Sequence, residues 1–192
     1  MIPIVLASGS SYRAELLKKL QLEFVSFSSN IDEAPQIGES VADLVMRLSQ
    51  AKAQAVSAVY SSHLIIGSDQ AAVCNGEFLS KPGNRQEAIH QLKAQSGQII
   101  HFYTGLCLLN SVTGQALKDM DISAVHFKRL TDRQIENYVD CEQPFDCAGS
   151  FKSEGLGIAL FSRIDAPDPN ALIGLPLIKL INLLAKFGVE VI

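Results

Sequence analysis

His63-Leu64-Ile65-Ile66-Gly67-Ser68-Asp69-Gln70 is the stretch on which the reading of this chain turns. A short apolar run bounded by a glycine reads as a buried strand. It delivers one carboxylate and one amide just past its expected end. In α/β proteins, ligands gather outside the carboxyl ends of such strands. Asp69 therefore stands where an ionised side chain is tolerated for its chemistry. An acid after a glycine also caps turns, and on the octet alone both readings stand.

Upstream, Ile4-Val5-Leu6-Ala7 is a strand by composition, and Ser8-Gly9-Ser10-Ser11 leads into a helix with Leu16, Leu17 and Leu20 at helical spacing. Ser10 or Ser11 suits its N-cap. Strand, Gly/Ser turn and helix start together make a generic anion site, with free amides and the dipole aimed at a ligand. Arg13 in the first turn opposes that dipole. It implies either an anion that offsets the repulsion or a solvated arginine. Phe24-Val25-Ser26-Phe27 leads to Asp32-Glu33 in a loop before Pro35. Ser40 to Asp43 is a capping box, with Asp replacing Glu. The helix it opens is expected to bury Leu44, Val45, Leu48, Ala55, Val56 and Val59. Lys52 falls inside that stripe, where it either snorkels to water or emerges in a cleft.

Downstream, Ala71 to Cys74 continues as strand, and Asn75-Gly76 is a strong hairpin signal. The return arm carries Ser80-Lys81-Pro82 back toward the region of Asp69. Asn84 with Glu87 caps a helix that Ser96-Gly97 ends. Gln98 to Asn110 is strand-rich, with Thr104-Gly105 marking a bulge or a close backbone approach. After Val112-Thr113-Gly114 a half-exposed strand is expected near Ala124 to Lys128. Thr131 to Gln134 caps another helix. Cys141 to Gly157 forms a long ordered loop, Ile158 to Ile164 a strand, and Pro176 sits in the first turn of a last helix ended by Gly188. Alternating strands and capped helices with added hairpins predict a mixed-sheet α/β fold, a single domain over residues 1–192 with two lobes around a cleft.

The 192 residues are 47% hydrophobic and 19% charged, with a formal net charge of −4. That balance suits a compact soluble chain and argues against binding a nucleic acid polymer. The four cysteines show no zinc-site spacing and suit reduced thiols. No run approaches the ~18 apolar residues of a membrane span, and the start lacks a basic signal-peptide region. A cytoplasmic location without membrane attachment is expected.

Ser8, Ser10, Arg13, Glu33, Lys52, Asp69 and Lys81 lack an obvious structural task. Three cations and a serine-rich helix start suit a polyphosphate. Two carboxylates suit Mg²⁺ or Mn²⁺, which take oxygen ligands. No Walker loop, Rossmann fingerprint, nucleophile elbow or metalloprotease helix occurs. The signal lies in the constellation.

Leu6-Ala7-Ser8-Gly9-Ser10 with Arg13, Asp32-Glu33, Lys52, Gly67-Ser68-Asp69, Ser80-Lys81-Pro82 and Gly149-Ser150-Phe151 occur in one order along the chain. With these motifs the chain resembles the Maf family of nucleoside triphosphate pyrophosphatases along essentially its full length. The resemblance implies a Maf/ITPase-like fold with a long curved sheet, flanking helices and an inter-lobe cleft. It implies metal-dependent hydrolysis of a nucleoside triphosphate to the monophosphate and pyrophosphate. Carried over by residue, Ser8, Ser10, Arg13, Lys52 and Lys81 would hold phosphates, Glu33 and Asp69 the metal, and Asp69 would accept the proton of the attacking water. Family branches differ at the positions of Tyr12, Gln70 and Glu154. The dTTP/UTP branch has Arg, Thr and Gln there, and the 7-methyl-GTP branch has Trp, Gln and Glu. This chain agrees with the latter at Gln70 and Glu154 and keeps an aromatic ring at Tyr12. Guanine offers two adjacent donors that one carboxylate can accept. Methylation makes the base cationic, adding about 0.5–2 kcal/mol of cation–π attraction to a ring. The alternatives are dTTP/UTP hydrolysis and a nucleotide-binding regulator of septum formation. A homodimer is the family expectation.

Overall fold

The structure is a computed structural model, described here for residues 2–192. Seven strands form one sheet: β1 (Ile4–Leu6), β2 (Phe24–Ser26), β3 (Leu64–Cys74), β4 (Glu77–Leu79), β5 (Ile99–Asn110), β6 (Ala116–Phe127) and β7 (Phe161–Asp165). Their order is β2-β1-β3-β5-β6-β7, with β4 paired to β3. The β1 pairings to β2 and β3 are parallel, while β3–β4 and β6–β7 are antiparallel. The sheet is mixed, as the alternation of helices and hairpins predicts. The described residues also form six α-helices: α1 (Ser11–Lys18), α2 (Val41–Ser57), α3 (Arg85–Gln95), α4 (Asp132–Glu142), α5 (Pro169–Ile173) and α6 (Leu177–Lys186).

The chain divides into two compact units. The first comprises residues up to Gln70, Tyr103–Asp121 and Asp168–Ile192; the second comprises Ala71–Phe102 and Ile122–Pro167. In the first unit, strand alternation sorts the core onto two faces. Leu6, Leu64, Ile66, Leu106 and Leu108 pack with Leu17 of α1 and Leu180 and Leu184 of α6. Val5, Ile65, Cys107 and Leu109 pack with Ala53 and Val56 of α2. Burial pushes the Cys107 thiol up to about 11. The second unit is centred on Phe151, whose ring meets Phe102, Phe127 and Phe161 edge-on at centroid distances of 5.4, 5.3 and 4.9 Å.

Local signals act as expected where they are local. Ser10, Ser40, Asn84 and Thr131 each accept a backbone amide at a helix start. Asn75 and Gly76 both take positive φ, 51° and 86°, which a tight primed turn needs.

Four expectations need correction. First, β3 does not stop at Gly67 but runs to Cys74, so Asp69 lies within the strand. Gly67 is required because a Cβ there would sit 2.0 Å from the Ser49 carbonyl oxygen of α2. Second, β6 begins at Ala116, eight residues before the expected start. Its acids, Asp119 and the buried Asp121, meet Lys179 of α6 at 3.1 and 3.8 Å, which lets a strand carry them. Third, Leu156–Leu160 is 3₁₀-helical and the strand starts only at Phe161. Fourth, α2 buries Ala53 in place of Ala55, and Val59, beyond the helix, is exposed. Among the described residues no helix is long and apolar enough to cross a membrane.

Candidate active site

The site is built on the alternation of β3. Ile65 and Gly67 face α2, and Asp69 continues that row. Ser68 and Gln70 fall on the opposite face, toward α5. Helix α2 approaches closely because the sheet presents glycine twice. A Cβ on Gly67 would clash with Ser49, and one on Gly105 would lie 2.4 Å from the Val45 carbonyl oxygen. This contact decides the Thr104-Gly105 question: β5 is continuous there, and the glycine serves a close backbone approach.

The close approach puts Lys52 beside Asp69. Its ammonium donates to Asp69 Oδ1 at 2.6 Å and lies 2.8 Å from Glu33 Oε1. Lys52 is buried, so the lysine does not snorkel to water: two carboxylates take its charge. The Asp69 side chain is only 10% exposed, whereas that of Glu33 is 57% exposed and lies at the open end of the group. Ser49, one turn before Lys52, accepts the Asp69 amide at 3.0 Å and donates to the Val45 carbonyl at 2.6 Å. The amide is thereby satisfied by the helix. A serine between Leu48 and Lys52 in an otherwise apolar stripe was a signal for this contact, and sequence reasoning passed over it.

Ser8 and Ser10 lie in the turn between β1 and α1, and Arg13 in the first turn of α1. Ser8 Oγ accepts the Ser10 amide at 3.1 Å and lies 3.5 Å from Arg13 Nη1. Ser10 Oγ caps the helix by accepting the Arg13 amide. Arg13 is half-buried, and its Nε donates to the Gly174 carbonyl at 2.8 Å. Burial lowers its pKa from the usual arginine value, while the charges of Asp69 and Glu33 raise it. Arg13 and Lys52 thus balance the same two carboxylates. A group of two cations, two carboxylates and a serine-rich helix start can bind phosphate oxygens and orient a water.

Gln70 is turned toward α5. Its Nε2 donates to the Ala171 and Leu172 carbonyls at 2.9 and 3.0 Å and lies 3.0 Å from Thr104 Oγ1. What Gln70 can offer a ligand is acceptance at Oε1. Tyr12, in the first turn of α1, is 38% exposed. Lys81 and Glu154 belong to the second unit and are exposed. Lys81 follows β4, and Glu154 accepts from Ser153 Oγ at 3.2 Å. In that unit Ser80 and the Gly149-Ser150-Phe151 segment are joined, because the Gly149 amide donates to the Ser80 carbonyl and Ser150 Oγ donates to Gln91.

The sequence profile described as "Maf-like protein" matches residues 3–187. A Vibrio vulnificus protein named 7-methyl-GTP pyrophosphatase is 56% identical over 189 residues, covering 98% of this chain and 97% of that one. Namesakes from Pseudoalteromonas translucida and Colwellia psychrerythraea are 51% and 50% identical, spanning 99% and 100% of this chain and 94% and 96% of their own. The solved structure of the Staphylococcus aureus Ham1 protein aligns with 66% of this chain and 72% of its own at a TM-score of 0.48 and 13% identity, a likeness too slight to carry an argument.

Proposed function

Since the chain belongs to the Maf family, we propose that it hydrolyses 7-methyl-GTP to 7-methyl-GMP and pyrophosphate with a divalent metal ion, clearing a modified nucleotide from the cytoplasmic pool. The observation that carries the chemistry is the convergence of Asp69 and Glu33 on the Lys52 ammonium, with the charges of both carboxylates also acting on Arg13. The substrate class is supported by relatives of that name at half identity or better over nearly their whole length.

The residues present fit Mg²⁺ or Mn²⁺. Both candidate ligands are carboxylates whose oxygens reach within 3 Å of one shared atom, the Lys52 Nζ. Among the described residues no group of three His, Cys, Asp or Glu gathers to hold a metal. Two carboxylates with water and substrate phosphates completing the shell is ordinary for Mg²⁺. When bound, the ion supplies Lewis acidity at the phosphate oxygens.

Asp69 takes the proton of the water that attacks the α-phosphorus. The bond from that phosphorus to the bridging oxygen breaks, and pyrophosphate leaves. Arg13 and Lys52 stabilise the charge that develops, Ser8 and Ser10 orient phosphate oxygens, and Lys81 binds phosphate. Glu154 accepts the paired donors of the guanine edge, Gln70 Oε1 adds an acceptor, and Tyr12 stacks on the cationic base.

The test is a nucleotide panel with Mg²⁺ or Mn²⁺, scored by pyrophosphate release. Fastest turnover of 7-methyl-GTP is expected. Equal or faster turnover of dTTP and UTP refutes the base assignment. A homodimer belongs to the same proposal, and sedimentation as a monomer removes it.

A further inference from the structure

The last carbonyls of a helix lack intrahelical partners, and at the end of α5 those of Ala171, Leu172 and the following Gly174 accept from side chains of the first unit. Ala171 accepts from Thr104 Oγ1 and Gln70 Nε2, each at 2.9 Å. Leu172 accepts from Gln70 Nε2. The Gly174 carbonyl accepts from Ser68 Oγ at 3.0 Å and from Arg13 Nε at 2.8 Å. Gly174 has a φ of 128°, in the region that favours glycine, and a Cβ there would meet Arg13 Nε at 3.4 Å.

Ser68 is fully buried, and its one hydroxyl proton is shared between the Gly174 carbonyl and the Gly105 carbonyl, the latter at 2.8 Å. It ties α5's end to β5 from the centre of the sheet. Arg13 Nε uses the oxygen that Ser68 aims, and the direction of an N–H···O=C bond fixes the plane of the guanidinium. The remaining nitrogens then project from a set position, with Nη1 beside Ser8 at the Gly/Ser turn.

We propose that Ser68 is a positioning residue for Arg13, holding the Gly174 carbonyl so that the guanidinium meets the phosphates at one angle. The proposal rests on Arg13 binding phosphate, as assigned above. It gives β3 a division of labour: Asp69 does chemistry on one face, and Ser68 sets the cation from the other.

A double-mutant cycle of Ser68→Ala and Arg13→Ala tests it, read as kcat/KM for pyrophosphate release from 7-methyl-GTP, with thermal melting of all four proteins. Contacting residues couple by factors of a few to about a hundred. The expectation is that Ser68→Ala costs about tenfold when Arg13 is present and less than about twofold when it is not. An equal loss in both backgrounds, the mark of a merely structural serine, overturns the proposal. Arg13→Ala at parental activity overturns the phosphate assignment itself and the positioning role with it. Where Ser68→Ala does not fold, Ser68→Cys, similar in shape and a weak donor, carries the same cycle.

Discussion

Replacing Lys52 by Met removes the ammonium that joins Asp69 and Glu33 while keeping most of the buried stem. Asp69, 7% exposed, then loses the partner that stood 2.6 Å away. Removing one member of a buried pair costs about 3–5 kcal/mol. The lower end applies, because the Glu33 side chain is 57% exposed and water screens its charge. A loss of about 3 kcal/mol lowers the melting temperature of a chain this size by roughly 6–12 °C. Calorimetry and urea unfolding measure it. Adding Asp69→Asn should return stability to within about 1 kcal/mol of the parent, since two neutral groups replace a buried ion pair at little net cost. A Lys52→Met protein that melts within about 1 °C of the parent refutes the argument. So does a double variant that sums the two single losses.

Asp69→Asn should lower kcat by about 10²–10⁴-fold while nucleotide binding persists, because general-base assistance is of that size. Hydrolysis within tenfold of the parent would remove the base role. A variant that binds, does not hydrolyse and still alters septum formation would favour the regulator reading. Glu39 is held at about 2, against an ordinary 4.5, chiefly by its hydrogen bond from Arg47. A depressed carboxyl adds stability above its unfolded value and loses it as pH falls through the folded one. The melting gap between the parent and Arg47→Leu should therefore be full above 4.5 and shrink down to about 2, and a gap that stays constant over that range refutes the pairing. Asp168, 1% exposed, accepts the Asn170 amide at 2.9 Å and the Ile178 amide at 2.7 Å, capping α5 and the first turn of α6 together. Asp168→Ala should cost about 2 kcal/mol, one per cap, and Asp168→Asn about half of that. Equal losses for the two would show that charge matters more than acceptor geometry.

Much of the fold was legible because it depends on neighbours in sequence. Capping serines, the Asn75-Gly76 turn and the apolar run before Gly67 act within a few residues of themselves. The misreadings arose where a distant partner overrides the local signal. The acids of β6 hide a strand until Lys179 of α6 stands beside them. The ordered motifs brought Ser8, Arg13, Glu33, Lys52 and Asp69 forward as candidates, and the first unit places them together. Sequence reasoning assigned Gln70 to the ligand without saying which amide atom faces it; the amide nitrogen is turned to the carbonyls of α5, which leaves Oε1 for that role.

What the chain determines by itself is which residues are chemically equipped and which segments are helix or strand, since spacing and capping are local properties. Only the tertiary structure decides which partner each charge meets. Strand alternation alone sends Asp69 to one side of β3 and Ser68 to the other, but it does not say what waits there. That is set by how near α2 and α5 can come, and the nearness of α2 depends on two glycines lacking a Cβ, 38 residues apart in sequence.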